Sequence, residues 1–290
     1  MRALIAAAAG SFLCIIPANA DEQSKGKTFP AFSEDLLHFP GCGGCTASGP
    51  ATITIHRGPG GNVTDITIQD SASGSLVQTG SANAAAGFVA DPLSRFTFAA
   101  PGWAIASYLD FSSFGAWVTS GSSGFNVAGA FAGGRATPPH AMPKMGVATY
   151  TGQTFGLGVE SAPTLQLPIF IWGDVSVTAD FAHWQVATSL TNLMSAALAV
   201  GTGFNVIGTP TPLGALSGTA SLNANTYSGT VSGNLAGLSG PIAVAGPIRG
   251  TFFGPKAQET AGTWSVAGTS TSTILPQAFG AIGSFGAVKQ

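Results

Sequence analysis

Three cysteines, four histidines and twelve acidic residues carry whatever reactive chemistry this 290-residue chain can do. Cys42 and Cys45 stand in "FPGCGGCTASGP". In an exported chain such a pair reads most plainly as a tight disulfide closing over Gly43-Gly44. A redox site would set its C-x-x-C at the start of a helix, where the dipole lowers the thiol pKa, whereas Thr-Ala-Ser-Gly-Pro follows here. His38 and His56 could complete a zinc cluster with the cysteines, but the spacing fits no familiar ligand pattern. His140, in a proline-rich stretch, and His183, beside Trp184, occupy loop-like positions where binding groups concentrate. An imidazole among aromatics can ligate haem iron; a loop histidine without a ligand is the plainer alternative for each. Phe170, Trp172, Leu213 and Leu216 are candidates for exposed apolar loop tips, the kind of side chain that dominates interaction energy.

The acids are dispersed. Asp174 and Asp180 share a strand and a parity, but six residues of extended chain hold them about 20 Å apart, too far for a paired-carboxylate site. Glu34-Asp35 reads as solvated charge. The sequence has no Gly-x-Ser-x-Gly elbow, Walker loop, Gly-x-Gly-x-x-Gly turn or His-Glu-x-x-His pair. These observations favour a noncatalytic protein, with a disulfide-active enzyme using Cys42 and Cys45, or a structural surface protein, as the alternatives.

The elements that must position these groups are strands. Charged residues make up only 8% of the chain and glycines number 41, where about 25% charged and 7% Gly is usual. Gly, Ser, Thr and Asn disfavour helices, while Thr, Val, Ile and Phe suit a pleated surface. Scattered single Lys and Arg offer no basic stripe for nucleic acid. Residues 1–20 read as a signal peptide: Arg2, an apolar run, then Ala18-Asn19-Ala20 before Asp21. Setting Arg2 aside leaves nine basic residues against twelve acidic ones, a formal charge of −3. Leu13 before Cys14 departs from the small residue that acylation signals want, which leaves lipid attachment open.

"ATITIHRGPGGNVTDITIQD" has the pattern of a hairpin. With "RFTFAA" and Tyr108–Thr119 as further strands, the first part predicts a small sheet sandwich, Ser81–Leu93 being a short helix or a loop. The seam is Gly133–Pro143, "GGRATPPHAMP", since Pro fixes φ and removes a ladder donor. Beyond it, "VSVTADF" and "YSGTVSGNLAG" alternate with period two, which predicts strands with one buried and one wet face closing into a barrel. "SLTNLMSAALAVG" breaks the rhythm: Leu190, Leu193, Met194, Ala197 and Leu198 follow helical spacing and predict a short helix or apolar loop. Membrane-pore strands carry about ten residues of outward apolar side chains. These runs read as shorter and hydroxylated outside.

Several stretches then resemble one family. Met142-Pro143, Gly146 and Ala148-Thr149-Tyr150-Thr151-Gly152 are similar to the linker and first barrel strand of the transferrin-binding protein B-like solute-binding proteins. "GDVSVTADF", "GTASLNANTYSGTVSGNL", "GTFFGPKAQETAGTW" and "AFGAIGSFGAVKQ" resemble later family pieces in order. The resemblance implies an all-β protein, with a β-rich handle at 21–140 and an eight-stranded antiparallel barrel at 141–290 plugged by side chains such as Tyr150 and Trp264. In "GTFFGPKAQETAG", Gly254-Pro255 would turn the chain, Lys256–Thr260 would form a polar loop, and Gly262-Thr263-Trp264 would start the closing strand. It further implies export to the periplasm or outer surface of a Gram-negative bacterium. There the chain would capture a host iron-binding protein or haem, alongside an outer-membrane export or receptor protein.

Overall fold

The computed structural model describes the backbone of residues 27–37, 46–57, 63–70, 76–78, 86–90, 109–121, 124–162, 165–200, 204–270 and 277–290, with side chains over most of 109–290. Cys42, Cys45, His38 and "RFTFAA" lie outside these residues, as does the leader.

Every described element is a strand, apart from one 3-10 turn at Pro139–Ala141. The first seven are β1 (Lys27–Leu37), β2 (Thr46–Arg57), β3 (Val63–Asp70), β4 (Leu76–Gln78), β5 (Ala86–Ala90), β6 (Ser112–Gly121) and β7 (Gly124–Gly134). They form one antiparallel sheet in the order β4-β3-β2-β1-β7-β6-β5. The expected β2–β3 hairpin pairing is present. The expected sandwich is instead a single sheet, because the second layer against it is the wall of the barrel. Ala86–Ala90, in the stretch read as helix or loop, is a strand on β6.

Eight strands then close a barrel: β8 (Val147–Ala162), β9 (Leu165–Asp180), β10 (Gln185–Val200), β11 (Phe204–Asn223), β12 (Thr226–Gly237), β13 (Gly240–Phe253), β14 (Glu259–Thr269) and β15 (Ala278–Lys289). The closing strand is β15, which pairs with β8, so Trp264 lies in the penultimate strand. Strand lengths of 11 to 20 residues exceed the sequence reading. Yet the lumen is filled with apolar side chains, and outward positions of β11 and β12 are Ser217, Thr219, Ser228, Thr230 and Ser232, so these strands are dry on the inner face and wet on the outer.

The plug is aromatic. Phe252 lies tilted against Tyr150, Phe181 and Tyr227, with ring centroids 5.4, 5.7 and 5.4 Å away. Each buried polar tip has a partner: Trp264 Nε1 donates to Thr154 Oγ1 at 2.8 Å, Tyr150 OH to the Ala257 carbonyl at 2.8 Å, and Tyr227 OH meets Thr260 Oγ1 at 2.8 Å. Burial pushes both tyrosine hydroxyls far above their ordinary range. A Cβ at Gly283 would lie 2.4 Å from the Trp264 ring, so the plug fits only because that wall position has no side chain.

β10 corrects the helix expectation. Val186, Thr188 and Leu190 are buried on even positions. A bulge at Thr191–Asn192, with Asn192 at φ 51°, then inserts one residue, and Leu193 turns inward while Met194, Ala196 and Leu198 face out. Apolar residues on both faces with one parity shift reproduce helical spacing by coincidence.

Outside the barrel a second core forms. Leu109, Phe114 and Ala116 with β7 residues Ala130 and Ala132 cover Phe155, Leu157, Phe170, Trp172 and Ile282. Phe114 stacks on Phe155 at 4.8 Å. Glu259, only 2% exposed, stitches this layer: its carboxylate accepts the Asp110 N–H, the Phe111 N–H at 3.2 and 3.1 Å, and Ser112 Oγ at 2.8 Å. Lys256–Thr260 is thus not a polar loop throughout, since its last two residues open β14 and are buried. Burial, opposed by the N–H of Asp110, the Ser112 hydroxyl and the N–H of Phe111, holds the Glu259 carboxyl above its ordinary 4.5.

Two outcomes follow from this packing. Gly283→Ala should lower unfolding free energy by about 1–3 kcal/mol through overpacking, measured by urea denaturation. Gly280→Ala, with nothing within 4 Å of its new methyl, should not. Glu259→Ala should cost about 1–3 kcal/mol by orphaning buried donors. A carboxyl with a raised folded pKa binds more protons folded than unfolded, so its contribution falls as pH rises from 4.5 through the raised value. Glu259→Gln should therefore flatten the loss of stability with rising pH in that window.

Candidate functional site

With the lumen packed, recognition must use the barrel's ends and outer faces. At one end β9 passes into β10 through Phe181-Ala182-His183-Trp184. Phe181 drops into the core and its N–H reaches the Gly146 carbonyl at 3.0 Å. Asp180, the last residue of β9, fixes the turn: Oδ1 accepts the N–H groups of Ala182 and His183, both at 3.1 Å, and Oδ2 lies 2.8 Å from His183 Nδ1. These are the bonds of an Asx turn, for which Asp is suited because its short side chain reaches the backbone two residues on. The His183 hydrogen bond is the main influence that lowers the Asp180 pKa. An ionised carboxylate only accepts, so Nδ1 is the donor and Nε2 carries the lone pair in the neutral ring.

Trp184 is held at φ 54°, a left-handed conformation that costs a bulky residue about 1–3 kcal/mol. Its carbonyl accepts the Leu222 N–H at 2.8 Å, which ties the turn to β11. Although large and apolar, the indole is 48% exposed, with Met145 at 78% just before β8 and Val147 at 65% at its start. Val147 pairs with Asp180, and Asp180 with Gln185, so these residues border one row of the wall. The arrangement exposes an indole, an imidazole and two aliphatic side chains at one end of the barrel.

The other sequence candidates fall elsewhere. Phe170 and Trp172 are not loop tips. They lie in mid-β9, stacked at 5.6 Å and buried beneath the sheet layer, because β9 is covered on both faces. Leu213 and Leu216 point into the barrel core. His140 is exposed in the Pro139–Ala141 turn, and among the described residues no hydrogen bond or ion pair links it to His183. Tyr150 and Trp264 belong to the core as expected. Among the described residues no cluster of three or more His, Cys, Asp or Glu could hold a metal ion. Met145, Val147 and the acids Glu160 and Glu259 were not singled out. The Asp180-x-x-His183 spacing after a strand is the signal that announces the turn.

A family model described as the C-lobe and N-lobe beta barrels of Tf-binding protein B matches residues 142–289. No curated protein matches the chain in sequence. Among solved structures, the chain is similar to a mutant of the vaccine antigen Transferrin Binding Protein B from Haemophilus parasuis, with 14% identity, a TM-score of 0.41, and coverage of 90% of this chain and 59% of that one. The isotype 1 transferrin binding protein B of serogroup B Neisseria meningitidis gives 15%, 0.38, 84% and 52% in the same order. A protein described as a surface lipoprotein gives 13%, 0.38, 90% and 98%. The chain thus spans little more than half the length of the two transferrin-binding proteins.

Proposed function

This chain belongs to the family of the C-lobe and N-lobe beta barrels of transferrin-binding protein B, and on that premise we propose that it is an exported surface protein of a Gram-negative bacterium that captures a host iron-carrying protein. Membership in this family supports reading it as a binder and not an enzyme. In this reading residues 1–20 are removed, 21–140 form the handle and 141–290 the barrel domain, and an outer-membrane protein assists display.

One observation carries the proposal: the rigid turn that exposes Trp184 at the end of the barrel where Met145 and Val147 are also exposed. Exposed apolar groups on a chain short of charge mark interaction sites, and tryptophan is enriched among residues that dominate interface energy. Strain at Trp184, held by neighbouring hydrogen bonds, is of the kind that clusters at functional positions. The mature chain, immobilised and exposed to iron-loaded and iron-free serum transferrin, lactoferrin and haemoglobin in biolayer interferometry, should bind at least one of them. Trp184→Ala should weaken that binding by about tenfold or more while circular dichroism stays unchanged. Binding of none, or an unaffected Trp184→Ala, overturns the reading.

Haem as cargo is a second reading, supported by His183. Asp180 orients its ring as outer carboxylates orient metal-ligating histidines. The nitrogen with the lone pair is then Nε2, and Trp184 follows in the chain. Haemin titration of the chain should give a shifted Soret band that His183→Ala removes and His140→Ala retains. The same band in His183→Ala would exclude this role.

A further inference from the structure

At the opposite end of the barrel, the alternation of β8 runs Tyr150, Thr154 and on to Glu160, placing a carboxylate at the last buried position of the strand. Glu160 is 8% exposed. The Leu238 N–H from the β12–β13 turn is its hydrogen-bond partner, and burial outweighs that bond in pushing its carboxyl above the usual range.

The carboxylate opens onto a cavity of about 410 Å³, within the size range of small-ligand pockets. An irregularity in the wall creates it. Ser195 pairs with Thr211 and Ala197 with Ile207, so Gly208-Thr209-Pro210 has no counterpart but Ala196 and bows away from β10, with Gly208 at φ 81°. Such bulges commonly mark sites. Leu167, Ile169, Ala197 and Ile207 give the cavity aliphatic walls, and Ser195 and Thr211 add hydroxyls. Leu165, Ile207 and Leu238 expose large apolar side chains around this end. No Lys, Arg or His lines the cavity among the described residues.

A carboxylate sunk in an aliphatic pocket is costly unless a cation joins it, and this fold supplies none among those lining residues. We infer that the mouth of the barrel is a binding site for a small apolar molecule ending in a primary or secondary ammonium group. The hydrocarbon body displaces water from the aliphatic wall, and the ammonium N–H groups donate to Glu160. A carboxylate-ended analogue meets like charge, and a neutral alcohol forgoes the charge-assisted bond. This site is separate from the Trp184 turn, and its fate does not depend on host-protein capture.

Isothermal titration of the chain with n-octylamine, 1-octanol and octanoate tests the assignment. Octylamine should bind one to one, about tenfold or more tighter than octanol, the worth of one charge-assisted bond, and octanoate should not bind. Glu160→Gln should reduce octylamine to the level of octanol, and Ala197→Phe, which fills the cavity, should abolish binding of both. Melting temperatures of Glu160→Gln at or above the parent keep the comparison one of folded proteins. Octylamine binding no better than octanol, or unchanged in Glu160→Gln, overturns the inference.

Discussion

The contact on which this architecture turns is one carboxylate, Glu259, set at the first position of β14 and accepting from three successive residues, Asp110 to Ser112, where the sheet layer enters β6. The same hairpin anchors the linker. Gly254 N–H donates to the Arg135 carbonyl, Thr137 N–H to Phe252, and Thr137 Oγ1 to Gly254 at 2.6 Å. Asn225 then reaches the Thr137 carbonyl at 2.7 Å. The stretch Phe252–Thr260 is therefore the point at which barrel plug, linker and sheet are tied together. Burying an acid there costs desolvation, repaid only while every lone pair has a donor. Such a site specifies one docking of sheet on barrel and tolerates few others.

That docking is not decoration. Phe155, Leu157, Phe170, Trp172 and Ile282 form an apolar strip on the outer wall of β8, β9 and β15. Left bare, a strip of this kind is an aggregation surface. A Cβ at Gly286 would lie 2.3 Å from the Phe114 ring, so even the wall's glycine is part of the fit. The barrel abolishes sheet edges, and the seven-stranded sheet covers what closure leaves apolar. The two ends of the barrel differ: one presents an indole and an oriented imidazole on a rigid turn, the other a recessed acid in an aliphatic mouth.

The sequence reading succeeded where one face of a strand is wet. In "VSVTADF" and "YSGTVSGNLAG" the alternation names the inward residues correctly, from Val175 to Phe181 and from Tyr227 to Leu235. Family motifs supplied the closed barrel and the plugging of Tyr150 and Trp264. The reading failed where a tertiary partner changes the meaning of a residue. Glu259 follows a Gly-Pro turn and a lysine, a setting in which charge is usually solvated, and only the distant Asp110–Ser112 backbone makes it a buried acceptor. The one-residue bulge at Asn192 disguised β10 as a helix because parity, not hydrophobicity, was altered. The turn position of His183 was legible, since its partner Asp180 is three residues away in the same chain segment.

The burial of Phe170 and Trp172 is written in the pattern around them. "LPIFIWG" is apolar at both parities, which is the mark of a strand buried on both faces, whereas a loop tip is bounded by turn residues on each side. The outward row Thr151, Ser176, Ser189, Ser217 and Ser232, joined strand to strand across β8 to β12, is hydroxylated throughout. The further apolar run in β8, Phe155 to Val159, adjoins Phe170 and Trp172 in register, Phe155 facing Trp172 and Leu157 facing Phe170. The outer apolar residues of β8 and β9 therefore fall at one height of the wall, apart from that hydroxylated row. The division between runs with one parity and runs with two thus maps where the sheet docks, and it places the aromatic pair within the packing that holds sheet and barrel together.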